Sequence, residues 1–91
     1  MQLRWTREAA TDLEHIAEYL VQHVPERASA LVRTVYEAPA SLLAFPHLGR
    51  PGKQAGTREL VMPSLPYVIV YMVRDDVVFV VRILHAAQQW P

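Results

Sequence analysis

Four cationic side chains are the residues of this chain best suited to chemistry. Arg50, Lys53 and Arg58 follow one another between Gly49 and Arg58 with no acid among them. A protein of formal net charge zero therefore carries a local patch that attracts anions. Arg82 has a different setting, because it interrupts the otherwise apolar run from Val77 to Leu84. An ion there is costly unless it is paired or reaches solvent, which leaves two readings. Its guanidinium can grip a phosphate in two-pronged geometry, with Arg58 on a neighbouring strand facing the same anion. Alternatively it forms a structural ion pair with Glu59 or another acid. Imidazole exchanges protons near neutral pH, but His15, His23, His47 and His85 are scattered, and none stands at the spacing of a known ligand pair. The chain has no cysteine, which removes disulfides, thiolate chemistry and cysteine-based zinc sites.

These side chains need elements to position them. Leu3 and Trp5 alternate with Gln2 and Arg4, the period of a short half-buried strand. Thr6 can cap a helix whose apolar stripe is Ala9, Leu13, Ile16, Ala17, Leu20 and Val24. Pro25 ends it or opens the next, and a second stripe from about Glu26 to Ala44 predicts an antiparallel helical hairpin. Pro39 lacks an amide hydrogen and its ring opposes the carbonyl of Val35, so a kink or split is expected there. Phe45 to Gly56 holds two prolines and three glycines and reads as a loop. Thr57 to Met62 is a predicted strand. Tyr67 to Val73 and Val77 to Leu84 form a predicted hairpin around Arg74-Asp75-Asp76. Both strands are apolar on both faces, and two helices can cover one face only. The other face then calls for a groove filler, self-association or a partner chain. Strand alternation also sends Arg82 and His85, three apart, to opposite faces unless the strand ends or bulges near Leu84.

Ninety-one residues, 52% of them apolar, fit one domain spanning 1–91 and one core. No apolar run is long enough to span a membrane, and the start lacks the apolar core of a signal peptide, so a cytoplasmic product is expected. Residues 1–48 hold four basic and six acidic side chains and residues 49–91 hold five and three, which places the anion-attracting surface in the second half.

Read in order, the strand, the helical hairpin, Pro46-His47-Leu48-Gly49-Arg50, Gly56-Thr57-Arg58-Glu59-Leu60-Val61, Pro66-Tyr67-Val68-Ile69-Val70-Tyr71 and the ending from Ile83 to Trp90-Pro91 resemble the RelE/ParE toxin superfamily of type II toxin-antitoxin systems. The resemblance covers essentially the whole chain, and the ending looks more like the RelE/StbE branch. It implies an α+β fold with an N-terminal strand and a helical hairpin packed on a small twisted antiparallel sheet. It implies a toxin that partners a cognate antitoxin. The RelE branch cleaves messenger RNA in the ribosomal A site without a metal or cofactor. On that likeness His85 is the candidate acid or base, and Arg82 and Arg58 bind and stabilise the phosphate. Lys53 and Arg50 would contact RNA backbone. The rival is a ParE-like protein that poisons DNA gyrase by binding it, and a third reading is a degenerate member that keeps only antitoxin binding. The neutral net charge counts against a polyanion binder such as a ribosome-dependent nuclease. On the bland reading, Glu59 pairs with an arginine, Tyr67, Tyr71 and Trp5 pack, and Trp90 covers the sheet or anchors a partner.

Overall fold

Residues 1–86 are described by the computed structural model. Trp90, Pro91 and the rest of 87–91, with the roles expected of them, lie outside the described residues. β1 (Gln2–Trp5) leads into α1 (Arg7–His23) and α2 (Ala28–Glu37), followed by a 3-10 helix, Ala38–Leu43. Four strands complete the order: β2 (Arg50–Pro51), β3 (Arg58–Val61), β4 (Tyr67–Arg74) and β5 (Val77–His85). They form a five-stranded sheet in the order β1-β5-β4-β3-β2. Helices on one face of a sheet make an α+β fold.

The helices begin and end where local chemistry dictates. Thr6 caps α1 through its hydroxyl, which accepts from the Ala9 amide at 3.1 Å and donates to the Val81 carbonyl at 2.9 Å. One side chain thus starts the helix and ties it to β5. The second helical stretch splits at Pro39 as its missing amide requires: α2 stops at Glu37 and the tighter 3-10 turn carries the chain on. Ala9 and Leu20 of α1, Ala28 and Val35 of α2, and Leu42 of the 3-10 helix are buried. Tyr67, Ile69, Val80 and Ile83 from the two central strands cluster with Ala9 and Val35, and Tyr71 and Val78 cluster with Leu42. The β4–β5 hairpin turns at Asp75 and Asp76, with φ of 53° and 63°, the left-handed pair that a two-residue hairpin favours and that aspartate tolerates better than most residues.

The sheet differs from the expectation in two respects. It is mixed, because β1 runs parallel to β5, Leu3 opposite Val78 and Trp5 opposite Val80. The helical hairpin provides the long connection a parallel pair needs. The loop from Phe45 also contains the two-residue strand β2, paired with Arg58 and Glu59. The face away from the helices is partly concealed: Val68, Val70 and Leu84 are buried, Met72, Phe79 and Val81 half-buried, and Val61 exposed. Among the described residues no helix is long and apolar enough to cross a membrane.

Candidate functional site

A register shift decides where the β5 side chains go. Tyr71 lies opposite Val80 while Val70 lies opposite Arg82, so Val81 is an extra residue in the ladder. From Arg82 to His85 the pairing is regular again, ending with His85 opposite Tyr67. The irregularity therefore precedes Arg82 and does not bring Arg82 and His85 to one face. Ile83 and His85 point to the helix side with Tyr67 and Ile69, and the Tyr67 and His85 rings meet edge to face at 6.1 Å.

Arg82 reaches a carboxylate that the apolar context did not reveal. Its Nε donates to Asp12 Oδ2 at 2.7 Å and its Nη2 to Asp12 Oδ1 at 3.0 Å, the bidentate geometry of a strong ion pair. Asp12 Oδ2 also accepts the Ile83 amide at 2.9 Å. β1 ends at Trp5, so among the described residues no strand lies beside the outer edge of β5 beyond Val80. Thr6 and Asp12 of the α1 region supply the hydrogen bonds in its place. The hydrogen bond to Asp12 raises the Arg82 pKa above its ordinary value, burial opposes this, and the Asp12 and Glu8 charges add to the rise. The acid is thus Asp12, and Glu59 serves Arg50 instead, its Oε1 accepting from Nε at 3.0 Å and lying 3.0 Å from Nη2 in an ion pair.

Arg58 is held by neutral groups. Its Nε donates to the Gly49 carbonyl at 2.9 Å and its Nη2 to the His47 carbonyl at 3.2 Å. The buried Tyr71 hydroxyl completes the grip on this loop, donating to the Pro46 carbonyl at 2.7 Å and accepting the Gly49 amide at 2.9 Å. Gly49 has to be glycine because a β-carbon there would stand 2.7 Å from the Glu59 carbonyl oxygen and 2.7 Å from the Tyr71 ring. Arg58 and Arg82 therefore work at separate places and share no ligand geometry, as facing one anion would need.

The structure does gather three other candidates. Arg50, Lys53 and His85, with Glu59, Val68 and Leu84, line a small cavity of about 60 Å³ on the face away from the helices. On the helix side His85 also borders a cleft of about 370 Å³ with Asp12, His15, Tyr19 and Tyr67. Burial raises the Tyr67 phenol above its ordinary value, with a further contribution from Tyr19. Two groups escaped the sequence reading. Asp12 falls within the apolar stripe between Ala9 and Leu13, and an acid on a core-facing stripe is a signal that it has a buried partner. The polar role of Tyr71 has no such signal, since a tyrosine in an apolar strand reads as packing.

With this geometry in hand, likeness to other proteins can be weighed. Residues 3–90 match the family model described as the ParE toxin of the type II toxin-antitoxin system parDE. The chain belongs to this toxin family. A relative named Toxin RelE2, from Caulobacter vibrioides, is 41% identical over 96% of this chain and 97% of its own length. Among solved structures, the chromosomal ParDE system of P. aeruginosa matches with a TM-score of 0.86 and 32% identity, covering 93% of this chain and 95% of that one. The intact E. coli RelBE complex matches with a TM-score of 0.69 at 18% identity, covering 96% of this chain and 98% of that one, a likeness of fold. This ParE-family protein is thus the toxin component of a type II toxin-antitoxin system.

Proposed function

We propose that this toxin stops growth by binding a protein target, in the manner of a ParE-like inhibitor of DNA gyrase, and that a cognate antitoxin neutralises it in the cytoplasm. The observation that carries this reading is the engagement of Arg82 with Asp12. The nuclease chemistry implied by the RelE branch requires cations presented to a phosphate as negative charge accumulates. Arg82 is neutralised by an internal carboxylate, and Arg58 is turned inward to loop carbonyls. Inhibition by binding requires no such constellation. The family-model match and the 32% identical ParDE structure support the same reading, although the 41% identical relative carries the name Toxin RelE2.

A second reading is kept because of one juxtaposition. His85, Lys53 and Arg50 border one cavity, and a ribosome-dependent cleavage of messenger RNA would need the imidazole, which meets Tyr67 on the helix side, to turn toward the two cations as acid or base. Induction of the toxin alone separates the two. Gyrase-linked broken DNA with intact messages is the expected result, and messages cut within the ribosomal A site would overturn the binding mechanism in favour of the nuclease.

A further inference from the structure

We propose that the cleft between α1 and the end of the sheet at Tyr67 and His85 receives an arginine side chain of the toxin's protein target. This deepens the reading above and rests on its claim that the toxin acts by binding a protein. The walls of the cleft, its charge and its shape each bear on the occupant.

The walls are aromatic and held in place. Tyr19 lines this cleft of about 370 Å³, is 55% exposed and stacks on His23 with ring centroids 4.0 Å apart. His23 Nδ1 in turn donates to the Tyr19 carbonyl at 2.8 Å, so the ring behind Tyr19 is itself anchored. On the sheet side Tyr67 and His85 meet edge to face, and Ile16 and Ile83 add apolar surface. Aromatic faces attract cations through the ring quadrupole. A platform fixed before binding also loses little freedom when a partner arrives.

The charge calls for a cation. Glu8, Asp12, His15 and Tyr19 recur every three or four residues and so share one face of α1. Along the whole helix Glu8, Asp12, Glu14 and Glu18 stand against a single arginine, Arg7. No lysine or arginine is among the described residues that line the cleft. Arg82 offsets Asp12 from one side, and the Glu8 charge reaches this pair as well, favouring the Arg82 cation. Among the described residues Asp12 Oδ2 accepts two hydrogen bonds and Oδ1 one. A carboxylate oxygen has room for two, so Oδ1 can receive a further N–H.

The shape selects which cation. A phosphate or carboxylate would meet Glu8 and Asp12 with no lining cation to offset them. An ammonium would use the charge and the rings but has no plane to lay on them. A guanidinium is flat, stacks on aromatic faces and donates from a fixed fork. Laid on Tyr19, it brings an N–H to Asp12 Oδ1 and packs its methylene stem on Ile16 and Ile83. A protein surface is the natural source of such a group, because arginine is among the residues that dominate protein–protein association.

Two measurements test this. The full toxin is titrated with N-acetylargininamide and with its uncharged citrulline counterpart, followed by amide NMR. The arginine compound should shift residues around Asp12 to Tyr19 and Ile83 to His85 saturably, and the citrulline compound should bind roughly fivefold more weakly. Purified gyrase is then titrated with the unaltered toxin, Tyr19→Phe, Tyr19→Ala and Glu8→Lys. Tyr19→Phe keeps the ring and should bind within about twofold of the unaltered toxin. Tyr19→Ala and Glu8→Lys, both altered at exposed side chains, should bind roughly tenfold more weakly while still melting cooperatively. Equal binding of the two small molecules, or near-normal gyrase binding by folded Tyr19→Ala, would overturn the site. A Tyr19→Ala variant that keeps gyrase but loses the antitoxin, or loses self-association of the toxin, would also overturn it, since the cleft would then serve that partner. If the unaltered toxin binds no gyrase, the proposed function falls and takes this occupant with it, while the arginine titration still reports on the cleft, which tells the two failures apart.

Discussion

Arg82 and Arg58 both sit in strands of one sheet, and both have their guanidinium groups bound by the protein, yet the two regions are electrically unlike. Arg82 meets a carboxylate, so the α1–β5 junction is an ion pair with little net charge. Arg58 meets two carbonyl oxygens, which satisfy its hydrogen bonds and leave its unit charge in place. Satisfying a donor and neutralising a cation are separate matters. The first region is a joint that secures the fold. The second is a brace that also keeps the loop side of the sheet positive, together with Lys53, while Arg50 is paired with Glu59.

The sharpest way to break this comparison is Asp12→Ala. It takes the bidentate carboxylate from Arg82 and strips the Ile83 amide of its acceptor, a change worth about 3 kcal/mol for a partly buried pair. A thermal melt should fall by roughly 15 °C. A shift of only a few degrees would mean that the joint does not secure the fold. Arg58→Met should have a smaller effect, about 1 kcal/mol, because two hydrogen bonds to neutral groups are lost and no charge is orphaned. Amide exchange around His47 to Gly49 should accelerate while the β5 amides stay protected, and acceleration across both regions would erase the distinction between joint and brace.

The smallest effect sharpens the comparison by pH. Burial, reinforced by Tyr19, raises the Tyr67 phenol above 10.0, and Tyr67 borders the same cleft as Asp12. The unfolded chain loses this proton first as pH rises. The stabilising contribution is therefore complete below pH 10 and is lost as pH climbs through the higher folded value. Stability measured by urea unfolding between pH 9 and 11 should fall for the unaltered protein. Tyr67→Phe should flatten that fall by a fraction of a kcal/mol, and an unchanged slope would remove Tyr67 from the account.

Local chemistry made much of the fold legible in the sequence. Thr6 as a cap, Pro39 as the point where the second helix splits, and Asp75-Asp76 as a hairpin turn each depend on neighbours within a few residues, and each stands as read. The features that were not legible depend on distant parts of the chain. Nothing in Gln2–Trp5 distinguishes a parallel from an antiparallel partner, and β2 is two residues inside a proline-rich loop. Val81 looks like its neighbours, so the register shift beside it is invisible until β4 is laid against β5. The candidate site suffered most from this. Arg82 announced that it needed a partner, but Asp12 lies 70 positions earlier, and only the packing of α1 on β5 brings them together. The same packing separated Arg82 from Arg58 and left His85 beside Lys53 and Arg50.

The parallel pairing of β1 with β5 also sets the order in which the molecule can assemble. Trp5 waits for Val80, Thr6 for Val81 and Asp12 for Arg82 and Ile83, contacts that span 70 positions or more. Such distant contacts slow folding, because the chain must close a long loop before any of them is gained. A ribosome releases the N-terminal end first, so Leu3 and Trp5 remain without their strand while most of the polypeptide is made. The fold is completed only after β5 has emerged, and a nascent chain cut short before that point lacks the joint between α1 and β5.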